Sequence, residues 1–138
     1  MKLSEGITEG SGHLNEDGWG FVGESGNVEA AWVFDGVTGI NGVNVLPGGS
    51  DARWLVESAH GHLLLLAAQH LSLQEILASL VNHLIADWQA VSGGISLPAD
   101  YDPPAACLTL VKRYAEGWKG LRLGDSCLMT RSSGRRMC

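Results

Sequence analysis

The stretch Ala31-Trp32-Val33-Phe34-Asp35-Gly36-Val37-Thr38-Gly39 limits what this chain can become more than any other. Four apolar residues run straight into an Asp, a Gly follows it, and a second Gly comes three positions later. An apolar run bounded by Gly reads as a buried strand that ends in a tight turn. The strand therefore carries Asp35 out of the core and leaves it at a sheet end where the backbone bends. Asp is a poor strand residue and is costly to bury without a partner. Two compensations are open to it: an Asx turn made with its own backbone, common at strand ends, or a cation.

The residues upstream bear on that choice. Gly18-Trp19-Gly20-Phe21-Val22 is short and aromatic, Glu24-Ser25-Gly26-Asn27 is a turn signal, and Val28 to Phe34 is the return strand. Residues 18 to 35 are thus expected to form a β-hairpin. A hairpin brings together the strand ends that lie away from its turn. Asp17 sits just before the first strand and Asp35 at the end of the second, so Glu16, Asp17 and Asp35 gather at one sheet end. Clustered carboxylates repel unless they are protonated or bind a cation. Oxygen donors without His or Cys favour a hard ion, Mg²⁺, Mn²⁺ or Ca²⁺, over zinc.

Charge is distributed to match. The chain carries nine Lys plus Arg against 15 Asp plus Glu, for a net charge of −6. Seven of those acids (Glu5, Glu9, Glu16, Asp17, Glu24, Glu29 and Asp35) fall in the first 35 residues, opposed only by Lys2. Such a field attracts cations and repels phosphate unless metal intervenes. A general nucleic-acid binder would present a basic face instead. The longest wholly apolar run, Leu63 to Ala68, is far short of the ~20 residues that span a bilayer, so neither nucleic acid nor membrane is an expected partner.

A chain of 138 residues, 45% hydrophobic and 17% charged, fits one globular domain. Cys107, Cys127 and Cys138 are odd in number and form no C-x-x-C pair, and Lys2 leads into Ser4 and Glu5 instead of an apolar leader. The expectation is a reduced, cytoplasmic protein.

Residues 40 to 49 read as a loop, after which Ser50 is an N-cap candidate and Asp51 suits a first helical turn. Leu55, Val56, Ala59, Leu63 and Leu66 keep a helical spacing to about Ala68. Ser72-Leu73-Gln74-Glu75 has the pattern of a capping box. The helix it opens places Ile76, Leu77, Leu80, Val81, Leu84, Ile85 and Trp88 on one face, expected as core, and Gly93-Gly94 ends it. Ala105 to Tyr114 is a strand, Ala115-Glu116-Gly117 a turn, and Trp118 to Leu123 a return strand. Gly124-Asp125-Ser126 then repeats the opening theme of a strand broken by Gly beside Asp; an ordinary turn is the alternative.

Other chemistries find less support. His60 and His62 are two apart on a helix and face different directions, while His70 lies at a helix–loop junction and His83 on a polar face. These four are expected to be structural. Ser126 and Cys127 lack a G-x-S-x-G elbow or a dedicated His, and neither a P-loop nor a G-x-G-x-x-G fingerprint occurs.

Asn15-Glu16-Asp17, Asp35-Gly36-Val37-Thr38-Gly39 and Leu123-Gly124-Asp125-Ser126 follow one another in an order that resembles the metal-dependent protein phosphatases of type 2C, the PPM-type domain. The helix pair between the second and third motifs and Pro104-Ala105-Ala106 before the third fit as well. The resemblance covers residues 9 to about 131.

It implies an α+β fold of the αββα sandwich kind, of which this chain would hold an N-terminal portion with two helices and about five or six strands. It also implies two divalent metals, Mn²⁺ or Mg²⁺, at one end of the sheets. Asp35 would bridge both ions, Glu16 and the Gly36 carbonyl would hold one of them, and Asp125 would serve a weaker third position. Asp17 would orient a metal-bound water, so that a phosphoserine or phosphothreonine of a phosphoprotein is hydrolysed without a covalent intermediate. Where the family often carries a phosphate-gripping Arg, three residues before the triplet, this chain has Gly12 beside His13. Val37 stands where many members have His. No phosphate-binding residue is assigned.

Family members supply two more Asp ligands from later strands, whereas Thr130 to Cys138 holds three of the nine basic residues and no apolar strand pattern. Residues 1–131 are accordingly read as a partial, truncated phosphatase domain and 132–138 as a basic tail. A natural short form or a split protein is the other possibility. From a different function class, the alternative is a non-catalytic phosphatase-like module that binds a partner.

Overall fold

The structure, a computed structural model, describes residues 15–37, 39, 42–132 and 135–137. Gly12 and His13, and with them the phosphate-gripping position, lie outside the described residues. So does Thr38 of the central motif.

Two strands, β1 (Gly18–Glu24) and β2 (Asn27–Val37), form the expected hairpin around a turn at Ser25-Gly26. A helix pair follows, α1 (Asp51–Leu66) and α2 (Leu73–Ser92). A second hairpin, β3 (Ala105–Tyr114) and β4 (Gly117–Leu123), closes the main sheet. That sheet is antiparallel in the order β1-β2-β3-β4, with β2 and β3 joined at its centre from Ala30↔Lys112 to Val37↔Ala105. A separate short ribbon pairs β5 (Thr130–Ser132) with β6 (Arg135–Met137). The described residues thus form an α+β arrangement of two helices on a four-stranded antiparallel sheet.

Period-two alternation on β2 buries Val28, Ala30, Trp32 and Phe34 and turns Glu29, Val33 and Asp35 outward. Leu108 and Leu110 extend the inner face across β3, and Val56, Ala59, Leu63 and Leu66 of α1 close over it. Burial of each large aliphatic side chain of this set contributes about 1.5–3 kcal/mol. A Cβ on Gly18 would come 2.7 Å from Val56, and one on Gly20 would come 2.7 Å from both His60 and Trp32, so these two glycines let α1 settle onto β1. His60 Nδ1 in turn accepts the indole N–H of Trp32 at 3.4 Å.

Both helix starts are capped as the sequence indicates. Ser50 accepts the N–H of Arg53, and Ser72 forms a complete capping box with Glu75. The second helix departs from expectation in what it buries. Ile76 and Leu80 are core, but Val81 is 45% and Ile85 49% exposed. The reason is placement: α1 lies across β1, β2 and β3, whereas α2 packs chiefly on α1 and meets the edge of the sheet at β4. One flank of its apolar stripe is therefore left along a shallow groove with Trp54, Trp88, Pro103 and Pro104.

Candidate functional site

Register decides which chemical groups meet. The pair Gly18↔Phe34 is the last of the β1–β2 ladder, so Asp17 lies just beyond it beside Asp35; contrary to the expected tight turn, Asp35 stays within β2, which continues against β3 to Val37↔Ala105. The Asp17 and Asp35 carboxyl groups share a hydrogen bond. Burial, then the Asp35 charge and that hydrogen bond, push the Asp17 carboxyl above the ordinary carboxylate range. Glu16 adds to the rise, and a backbone bond from Gly36 partly offsets it. Asp17 is held from behind as well, its N–H donating to Asn15 Oδ1 at 3.0 Å in an Asx turn.

Gly36 has a steric reason to be Gly. A Cβ there would sit 2.5 Å from the Glu16 carbonyl oxygen, so the absent side chain lets the Glu16 backbone lie against β2. The Glu16 side chain, however, turns away toward α1. Its Oε1 accepts the Ser50 hydroxyl hydrogen, and the same Ser50 oxygen caps the helix.

Asp125 reaches the same sheet end from the far side. The partner of Asp35 on β3 is Cys107, and Cys107 Sγ donates to Asp125 Oδ1 at 3.2 Å. Gly124 lies against Cys107 so closely that a Cβ would collide with it. The sheet end therefore reads, across its width, Asp17, Asp35, Cys107 and the Gly124-Asp125 turn. The structure brings Asp17 and Asp35 into contact, keeps Glu16 within electrostatic reach, and leaves Asp125 one strand away. Among the described residues no three His, Cys, Asp or Glu side chains are grouped to hold a metal ion. The Ser50 bond of Glu16 and the intervening strand account for this.

Sequence reasoning missed the device that fixes Ser50. Asp51 looks like a simple first-turn acid, yet it is buried, and its Oδ1 accepts the N–H groups of Val45 and Leu46 at 2.9 and 2.8 Å. Its Oδ2 accepts the Tyr101 hydroxyl at 2.6 Å, and its own N–H goes to Asn44 Oδ1. Burial first, then Asp51, pushes the Tyr101 hydroxyl up. The available signal was an Asn-x₆-Asp spacing across a Gly-rich loop that has to be tied to a helix start.

His60, His62 and His83 make contacts within and between elements. His60 meets Trp32, while His62 Nε2 lies 2.6 Å from Asp87 Oδ2 and its ring stacks on His83, which links α1 to α2. Cys127 is exposed, with only a long 3.9 Å contact to the Asp125 carbonyl. No described helix is long and apolar enough to cross a membrane.

Compared with protein-family models, curated proteins and solved structures, the chain finds no match.

Proposed function

We propose that this chain carries the metal-binding edge of a metal-dependent phosphoprotein phosphatase of type 2C, an αββα-sandwich family. The observation that carries the reading is the meeting of Asp17 with Asp35 at the exit of the β1–β2 hairpin, with the Asp17 carboxyl pushed up by burial first and then by Asp35. Like charges held together by register are a standing cost, and a divalent cation relieves it. The donors fit a hard ion: Asp35 and Glu16 carboxylates with the Gly36 carbonyl for Mn²⁺ or Mg²⁺, and Asp125 for a more weakly held ion. Such ions supply Lewis acidity at phosphorus and lower the pKa of water.

The chain's own residues set the stage for that chemistry. Asp17, which holds its proton more tightly than an ordinary Asp, is placed to accept a proton beside Asp35. Gly36 keeps the backbone of Glu16 close. Ser50, at the start of α1, holds the Glu16 carboxylate toward the helix. The protein is read as cytoplasmic, with a phosphoserine or phosphothreonine protein as substrate.

A second reading has its own support. The hydrogen bond from Ser50 ties up Glu16, which suits a non-catalytic module that binds a phosphorylated partner through a weakly held ion. One experiment separates the readings. Fluorescence anisotropy of a phosphothreonine peptide should show binding only with Mn²⁺, and none with Asp35→Asn. Hydrolysis of the bound peptide assigns the enzyme; binding without hydrolysis assigns the module. Peptide binding that is indifferent to Mn²⁺ would remove both.

A further inference from the structure

At the end of the sheet away from the acids, a cleft of about 700 Å³ opens between the close of α1, the start of α2 and the β3–β4 turn. Lys112 lines it and is only 7% exposed. Its ammonium donates to the Ala67 carbonyl at 2.8 Å and to the Gln69 carbonyl, against the negative end of the α1 dipole. An ammonium has three N–H donors, so one has no acceptor among the described residues. No described carboxylate lies within ion-pair distance of it either. Burial lowers the Lys112 pKa, and the charge of Glu29 only partly opposes that.

A second lysine stands directly opposite. Lys119 is the register partner of Lys112, so both side chains project from the same face of the β3–β4 pair. Their ammonium groups lie 5.8 Å (Lys112) and 5.0 Å (Lys119) from the centre of the Tyr114 ring. Like charges at directly paired positions repel, and the Tyr114 ring that both ammonium groups approach relieves this only in part. Arg113 brings the lining to three cations against two carboxylates, Glu29 and Glu116, in a chain whose net charge is −6. Besides the Tyr114 ring, Lys119 meets Glu116 in an exposed 3.5 Å contact, an attachment that costs little to release.

We propose that this cleft binds a small ligand through an oxyanion group, a carboxylate or a phosphate, held between Lys112 and Lys119. The cleft is of the size that takes small ligands, roughly 300–1,000 Å³. At the start of α2 the capping box already takes the N–H groups of Ser72 and Glu75. The anion would complete the donor set of Lys112 and remove the repulsion across the strand pair.

The test titrates inorganic phosphate, and separately acetate, into the full chain at constant ionic strength balanced with chloride. EDTA is present so that no metal at the acidic end takes part. Backbone ¹H–¹⁵N shifts of Gln69, Lys112 and Lys119 report the cleft. Saturable shifts confined there, weakened about tenfold by Lys119→Ala, are expected, as befits loss of one charged hydrogen-bond donor. Saturation by phosphate alone assigns a phosphate ligand, and by acetate alone a carboxylate. Lys119 is exposed, so the variant is expected to fold, and the spectrum itself shows whether it does. Shifts that never saturate, or that Lys119→Ala leaves unchanged, overturn the proposal.

Discussion

Replacing Ser50 is expected to weaken the fold and strengthen metal binding at once. Its hydroxyl oxygen accepts the Arg53 N–H as the α1 cap and donates its hydrogen to Glu16. Loss of an N-cap to Ala costs about 1 kcal/mol. Loss of a hydrogen bond to a carboxylate costs about 1.5–3 kcal/mol, toward the low end here because Glu16 is half-buried and water can replace the partner. Ser50→Ala should therefore lose about 2–3 kcal/mol, a fall in Tm of roughly 8–12 °C for a chain of this size. Ser50→Gly keeps most of the cap, so it should lose about 1.5–2 kcal/mol. Both variants release Glu16 toward Asp35, and Mn²⁺ should bind them more tightly than wild type. Urea denaturation of Ser50→Ala, Glu16→Ala and the double variant isolates the shared bond. If Glu16→Ala costs as much in the Ser50→Ala background as in wild type, the two side chains do not interact and the reasoning fails.

Two further outcomes follow from burial and charge. Leu63→Ala, on the fully buried face of the last turn of α1, should cost about 2–5 kcal/mol, whereas Leu65→Ala, at 69% exposed, should stay within about 0.5 kcal/mol, both by denaturant titration. Asp17 binds its proton more tightly in the folded chain than in the unfolded one. Its contribution to stability is thus full below the unfolded value of 3.8 and is lost as pH rises through the folded pKa. Asp17→Asn should therefore be more stable than wild type at pH 7, with the gain vanishing at pH 3.8 and below; an undiminished gain in acid would show that the charge is not its source.

The hairpins, both caps and the meeting of Asp17 with Asp35 were legible because they depend on local signals: alternation, turn residues and S-x-x-E spacing. The register of one hairpin is enough to bring residues 17 and 35 together. What stayed hidden depends on how elements lie in space. Val81 and Ile85 look like core on a helical wheel, and only the placement of α2 beyond α1 leaves them exposed. Glu16 looks like a metal ligand beside Asp17, and only the return of the chain at Ser50, 34 residues later, gives its carboxylate another partner. Lys112 sits in an apolar strand pattern with no local sign that two carbonyls at the end of α1 would receive it.

The central claim is that Asp35 and its neighbours form a divalent-cation site, and calorimetric titration of Mn²⁺ into wild type and Asp35→Asn tests it most directly. Asp35, Glu16 and the Gly36 carbonyl offer one ion part of an octahedral shell that water completes, so weak but saturable binding is expected. Asp35→Asn should abolish it. Equal affinity in the two proteins would contradict the claim and leave Asp35 as an exposed strand residue alone.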